Sequence, residues 1–303
     1  MNSLKRALSG LGGFSGQILF NEPLAKYTWY QIGGPAQALV TPKTRSDLEL
    51  LAQVIQETGT RFFILGAGSN VLVSDDGFPG LVIRANRFLT HIDVISADQI
   101  TTGGGVMISS LVKKAGEEGW GGLELLSGIP GTVGGAIRMN AGTHLGETAS
   151  RLKKVKTFDL NTGRESDFNE MNFAYRKNLF MPEGHLVIEA QWRIKKVESL
   201  HLKALIDETL ARRKASQPVD QPSCGSVFKN PESSGLSAWQ VMDRLGLRGH
   251  RIGDAQFSPK HSNFIVNLGG ARATDIWALI RLAQGRAQTE LQIALEAEVV
   301  VVK

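Results

Sequence analysis

Cys224 is the only cysteine in the 303 residues. A lone thiol excludes an intrachain disulfide and any multi-cysteine metal centre. No apolar run approaches the roughly 20 residues that a membrane-spanning helix requires. Residues 1–16 include Lys5 and Arg6, but the stretch after these two cations is too polar and glycine-rich for a secretory h-region. A cytoplasmic protein with a flexible N-terminal arm over 1–20 is the expectation, with no membrane partner. Aromatic residues make up only 7%, and the basic residues are scattered among acids. Both features argue against a nucleic-acid surface. The formal net charge of +5 still suits an anionic partner, and a nucleotide-linked substrate fits better than a polynucleotide. None of His91, His144, His185, His201, His250 and His261 has ligand spacing such as HExxH, so no metal is expected. GxxxxGK[ST] is absent, which removes a P-loop.

Glycine, in contrast, is plentiful, and it is densest in Gly128–Gly142, GIPGTVGGAIRMNAG. Such turns let the main chain approach a ligand closely, and their N–H groups suit a pyrophosphate. The plain alternative is a set of surface turns. Ile129, Val133, Ile137 and Met139 make the segment too apolar for that, and Asn140 stands where a ligand could be read. A second segment, FFILGAGSNVLV over 62–73, runs from an apolar strand into Gly66, Ala67, Gly68, Ser69 and Asn70. It is not a Rossmann fingerprint: Val71 occupies the third glycine position, and a strand rather than a helix comes next. The pattern left is strand, anion-cradling turn, strand.

In order along the chain, 24–40 reads as strand, turn, strand, and 46–58 as a helix with Ser46 at its N-cap and Gly59 as its stop. Strands come next at 62–65, 71–73, 81–84 and 91–95, then a turn at 103–105 and a helix at 109–118. Strands at 153–160 and 186–194 flank NFAYRKNLF (172–180), a packed corner with Tyr175 and Arg176 at its tip. Helices are expected at 200–214, 237–245 and 274–290, strands at 263–267 and 298–302, and irregular chain at 249–259. Boundaries near 85 and 198 divide the chain.

The segments IGGPA (32–36), LGAGSN (65–70), GIPGTVGGAIRMNAG, Tyr175–Arg176, PSCGSVFKNP (222–231), KHSNFIVN (260–267) and LEAEV (295–299) together resemble the UDP-N-acetylenolpyruvoylglucosamine reductase (MurB) family, within the vanillyl-alcohol-oxidase-like flavoproteins. The resemblance runs through nearly everything after about residue 20. It implies an α+β fold: two subdomains, 21–85 and 86–198, forming a PCMH-type FAD-binding unit, and a C-terminal substrate-binding domain, 199–303. It implies an oxidoreductase, UDP-N-acetylmuramate dehydrogenase, that reduces UDP-N-acetylglucosamine enolpyruvate to UDP-N-acetylmuramate for peptidoglycan synthesis. NADPH would be the donor, FAD a non-covalent cofactor, and the enzyme a monomer.

The resemblance places Gly66, Ala67, Gly68, Ser69, Asn70, Gly128, Ile129, Pro130, Gly131, Gly134, Gly135, Ala136, Asn140 and Ala141 around FAD. It makes Arg176, Ser226 and Glu298 catalytic and puts Tyr175, Lys214 and Asn230 on the substrate. The chemistry asks for such groups. Hydride added to a vinyl ether beside a carboxylate leaves negative charge on the adjacent carbon, which needs cations nearby and an acid to protonate it. Each residue also has a plainer reading. Ser226 follows Gly225 and would otherwise be a turn hydroxyl. Arg176 would be a surface ion pair, Glu298 a solvated strand end, and Lys214 a cation at a helix C-terminus. Glu296 is assigned to solvent and His261 to structure. Asn178 replaces the family's usual serine, and the short connection from Asn140 to Lys153 resembles the family's smaller form, with a more open cleft. Two alternatives stand beside this reading: another flavin oxidoreductase of the superfamily, and a basic, non-enzymatic nucleotide binder.

Overall fold

The computed structural model describes residues 3–85 and 87–303, with Ser233 described by its main chain alone. The chain divides into two compact α+β units. One contains the residues up to Glu22, Ala36–Ala67 and Pro79–Leu210; the other contains Pro23–Pro35, Gly68–Phe78 and Ala211–Lys303. These lines differ from the three-part division at 85 and 198. Val71–Val73 pairs in parallel with Val300–Val302, and the Asp75 carboxylate accepts from the amides of Ala273 and Thr274 at 2.8 and 3.0 Å. Tyr30, Ile32 and Leu72 lie in one apolar core with Val227, Phe257 and Ile280. Two early segments are thus built into the C-terminal unit.

In the first unit, a four-stranded sheet runs in the order Gln17–Pro23, Pro35–Thr41, Phe78–Arg84, Phe62–Leu65, with the last pair parallel. Helix Arg45–Thr58 buries Leu48, Leu51, Val54 and Ile55 in the core that holds Val40, Leu81 and Ile83 of this sheet. Its N-cap is Thr44, not Ser46. The Asp47 amide donates to Thr44 Oγ1 at 3.2 Å, and the Thr44 amide donates back to the Asp47 carboxylate at 3.1 Å, a reciprocal box that satisfies two otherwise open donors. Gly59 ends the helix in a left-handed conformation, as expected. Residues 1–20, expected as a flexible arm, carry helix Ser3–Ser9. Leu4 and Leu8 are buried in the same core as Leu48. Their spacing of four is an amphipathic signal that the glycines of 10–16 obscure.

The other sheet of this unit is antiparallel, ordered Arg164–Phe168, Leu152–Asp159, His185–Arg193, Gln99–Gly103, Ile92–Ser96. Helices Ile108–Glu118 and Val133–Arg138 share its core around buried Trp192. The indole Nε1 of Trp192 donates to Thr102 Oγ1 at 2.9 Å, which satisfies its one polar atom.

The second unit has an antiparallel sheet ordered Ser223–Ser226, Phe264–Asn267, Ala255–Phe257, Arg251–Ile252. Helices Ala238–Arg244 and Ala273–Leu291 bury Val241, Met242, Ile276 and Leu279 in its core. The region 249–259 is not irregular. Ile252 pairs with Ala255 across a two-residue Gly253–Asp254 turn. Gly253 has φ 55°, and a Gly–Asp pair between extended residues is a hairpin signal.

Candidate active site

The two glycine segments meet inside the first unit. A Cβ added to Gly66 would lie 2.7 Å from Thr132 Oγ1, so no side chain fits there. Thr132 caps helix Val133–Arg138, its Oγ1 accepting from the Gly135 amide at 3.3 Å. The helix continues through Gly134 and Gly135 despite their low propensity. Gly134 allows a close approach: its amide donates to the Gly104 carbonyl at 2.8 Å, and a Cβ would sit 3.1 Å from that oxygen.

Hydrogen bonding separates the expected cofactor residues. The amides of Ile129, Gly134, Ala136 and Ala141 donate to the carbonyls of Leu126, Gly104, Thr132 and Ala136, and the Gly135 amide donates to Thr132. Pro130 has no donor. Among the described residues, no main-chain carbonyl accepts from Ala67, Gly128 or Gly131. Gly128 and Gly131 have φ 80° and 115°. Directly before them Ser127 is buried, and its Oγ has no hydrogen-bond partner among the described residues. Open amides at Ala67, Gly128 and Gly131, the buried Ser127 hydroxyl, and a close approach of Gly66 to Thr132 that leaves no room for a side chain are the kinds of group that a dinucleotide pyrophosphate uses. Ser127 went unnoticed in the sequence because its only signal is to precede Gly128.

The end of the same segment holds the Tyr175–Arg176 turn. Phe173–Ala174 pairs with Lys177–Asn178, leaving Tyr175 and Arg176 at the tip. Arg176 has φ 55°, a left-handed conformation normally left to glycine or asparagine. Its Nη2 donates to the Gly142 carbonyl at 3.0 Å, and its guanidinium lies 5.2 Å from the Tyr175 ring centre. The Asn140 side chain is engaged by the protein. Its Nδ2 donates to Ala174 O at 3.1 Å and to Glu147 at 2.7 Å, and its Oδ1 accepts from the Ala149 amide at 3.1 Å. Asn178 completes the frame, donating to Arg138 O at 2.8 Å and accepting from the Met181 amide at 3.0 Å. Arg138 in turn donates to the carbonyls of Met181, Pro182 and His185.

In the second unit, Ser226 ends strand Ser223–Ser226, opposite Phe264 and after a register shift. Gly225, at φ 77°, makes that shift possible. The Ser226 hydroxyl bonds to no other described residue and is partly exposed. Asn263 fixes the next stretch of chain: Oδ1 accepts from the Phe228 amide at 3.0 Å, and Nδ2 donates to Phe228 O at 2.9 Å. Glu298 is half-buried and precedes the terminal strand, which starts at Val300 rather than 298. Its amide donates to Val227 O at 2.7 Å.

The Gly68–Asn70 turn belongs to this unit as well. A Cβ on Gly68 would lie 2.0 Å from Tyr27 O, and Gly68 O accepts from the Trp29 amide at 2.9 Å. Asn230 Oδ1 accepts from the Ala238 amide at 2.9 Å, at the start of helix Ala238–Arg244, so this oxygen serves the helix terminus. Lys214 is exposed in the last turn of helix Ser199–Ser216. Glu296 is exposed and pairs with Lys229 at 2.6 Å, in line with its assignment to solvent. His261 packs edge-on to Phe264 with centroids 4.8 Å apart. Burial holds its pKa below the ordinary value, with Arg248 adding to the effect. Among the described residues no His, Cys, Asp and Glu cluster could hold a metal ion, and no helix is long and apolar enough to cross a membrane.

Residues 36–168 match a family model for an FAD binding domain, and residues 217–302 match the UDP-N-acetylenolpyruvoylglucosamine reductase C-terminal domain. The chain is 40% identical over 291 residues to the UDP-N-acetylenolpyruvoylglucosamine reductase of Geobacter metallireducens, covering 95% of this chain and 94% of that one. It is 38% identical to the Carboxydothermus hydrogenoformans reductase, at 94% of both chains. A crystal structure of the Thermus caldophilus reductase (MurB) superposes with a TM-score of 0.80 at 38% identity, covering 95% of this chain and 99% of that one. With the fold, the glycine cradle and near-complete coverage in agreement, the chain belongs to the UDP-N-acetylenolpyruvoylglucosamine reductase family.

Proposed function

We propose that this chain reduces UDP-N-acetylglucosamine enolpyruvate to UDP-N-acetylmuramate, an FAD-dependent, NADPH-consuming step of peptidoglycan precursor synthesis. The observation that carries the reading is the cradle at Gly66 and Thr132. Side chains are excluded there, and among the described residues the amides of Ala67, Gly128 and Gly131 and the Ser127 hydroxyl have no partner, in a chain with no redox group of its own. The C-terminal match over 217–302 favours the reductase over an oxidase of the same superfamily.

FAD, held by the main chain at Ala67, Gly128 and Gly131 and by Ser127, would supply the hydride chemistry that links NADPH oxidation to reduction of the enolpyruvyl double bond. The protein's part is electrostatics and one proton. Negative charge moves to the adjacent carbon and into the carboxylate. A guanidinium fork matches a carboxylate, so Arg176, held by Gly142 and Tyr175, stabilises that charge. Ser226 delivers its hydroxyl proton to the adjacent carbon, which completes the saturated ether. Glu298 is the second acid–base group. Tyr175, Lys214 and the Asn230 amide group bind the substrate. The enzyme is assigned to the cytoplasm as a monomer.

Purified protein should be yellow, bleach anaerobically with NADPH, and regain its colour on addition of the enolpyruvyl sugar. Steady-state plots should be parallel, because the chain has no separate Rossmann fingerprint for a second dinucleotide domain. A colourless protein that FAD does not reconstitute would sink this reading and restore the non-enzymatic nucleotide binder.

A further inference from the structure

Asn70 was expected to serve FAD, yet its side chain faces the segment that carries Glu298, just before the terminal strand. Asn70 Nδ2 donates to the Glu298 carbonyl at 3.1 Å. The Asn70 carbonyl accepts from the Val300 amide at 3.0 Å. These two bonds bracket Val299, which is buried. The Glu298 amide is tied from the other side, to Val227 O. Both peptide groups of Glu298 are therefore held, which sets the direction of its Cα–Cβ bond. Asn70 has a firm base of its own: Gly68, two residues earlier, is locked against Tyr27 and Trp29, where no Cβ fits.

We propose that Asn70 is a positioning residue for the reductase reaction, its side-chain amide clamping the main chain of Glu298 so that the carboxylate meets the substrate at the right angle. This rests on the assignment of Glu298 to the acid–base machinery above. Loss of the donor frees the carbonyl and lets the segment 296–299 shift. A displacement of about 1 Å costs on the order of 10²-fold in rate.

The test is a double-mutant cycle with a structural readout beside it. Asn70→Asp keeps the shape and replaces the donor with a second oxygen facing the carbonyl; Asn70→Ala serves if that variant does not fold. Stopped-flow reoxidation by the enolpyruvyl sugar should slow roughly 10- to 10²-fold in Asn70→Asp. In a Glu298→Gln background the same change should add less than about threefold, because a positioning residue has nothing left to position. The pH profile of Asn70→Asp reoxidation should move towards that of Glu298→Gln. Amide exchange over 296–303, followed by mass spectrometry without substrate, should quicken.

Unchanged exchange would overturn the clamp. An equal slowing in both backgrounds, or flavin loss with matched slowing of the NADPH step, would return Asn70 to the cofactor. A wild-type protein that the enolpyruvyl sugar does not reoxidise would overturn the assigned reaction and the catalytic half of this inference, and exchange would still decide the clamp.

Discussion

The Glu298 amide donates to the Val227 carbonyl at 2.7 Å, one residue beyond Ser226. Two groups far apart in sequence, and both assigned to acid–base work, are thus on neighbouring stretches of main chain. An antiparallel bridge between Phe228 and Ala297 extends the contact.

Ser226→Ala should separate the two halves of the reaction. Bleaching by NADPH needs no proton from this position and should stay near the wild-type rate. Reoxidation by the enolpyruvyl sugar should slow by roughly 10²–10⁴-fold, the usual effect of losing a general acid, and Ser226→Cys should keep part of the activity. Stopped-flow flavin absorbance reads each half separately. Reoxidation within a few-fold of wild type would leave Ser226 a turn residue.

Arg176 sits in a conformation that costs a non-glycine residue about 1–2 kcal/mol. Arg176→Gly should relieve that strain while removing the charge proposed to stabilise the substrate carboxylate. The melting temperature should hold or rise, and reoxidation should slow with NADPH bleaching little changed. A lower melting temperature with unchanged turnover would make Arg176 a structural residue.

Gly66→Ala drives a methyl group against Thr132 Oγ1. The variant should purify with less flavin and need more FAD for reconstitution. Adding Thr132→Ala should restore part of the binding, at about 1 kcal/mol of stability for the lost helix cap. Flavin content from the visible absorption band decides the matter, and full occupancy in the single variant would place the cofactor elsewhere.

Cys224 is buried, its Sγ donates to Val71 O at 3.2 Å, and burial pushes its pKa up to about 12. A thiol so protonated is a poor nucleophile. It should resist an aromatic disulfide reagent at mildly alkaline pH in the native state and react at once in denaturant. Acid precipitation should release all the flavin, because the lone thiol carries no covalent link. Yellow colour in the pellet would contradict this.

Burial lowers the pKa of His185; Asp159 opposes the shift and Arg138 adds to it. The folded state then takes up the proton less readily than the unfolded chain. The neutral ring's contribution is complete above the ordinary value of about 6.5 and is lost as pH falls towards the lower folded value. His185→Gln should flatten the decline in melting temperature between about pH 7 and pH 5. His261 shifts the same way, so the flattening should be partial. An unaltered slope would remove His185 from the acid response.

The long periodic elements were legible before any coordinates. The helices at 46–58, 109–118, 200–214 and 274–290 appear within a residue or two of their expected ends, because helix-forming composition and, at Gly59 and Gly119, a glycine stop are local signals. The glycine segments were legible too, since a run such as LGAGSN or GIPGTVGG has few conformations that a larger residue could copy. Where signals competed, the reading failed. Ser46 looked like a cap, but Asp47 at the third position selected Thr44. Gly134 and Gly135 looked like turn residues, yet Thr132 starts a helix through them.

The residue types themselves determined the order of the motifs, the absence of disulfide chemistry, and the need for a borrowed redox group. Tertiary structure alone decided which polar groups stay open. Asn140, Asn230 and Asn70 look alike in the sequence, but the Asn140 side chain bonds to the Arg176 hairpin, the Asn230 oxygen accepts at a helix start, and the Asn70 amide donates to the Glu298 carbonyl. It also decided that 68–78 belongs with the C-terminal unit, through the Val71–Val73 pairing with Val300–Val302. Chain neighbours set local backbone preference. A hydrogen bond between residues 228 positions apart depends on packing that no local pattern encodes.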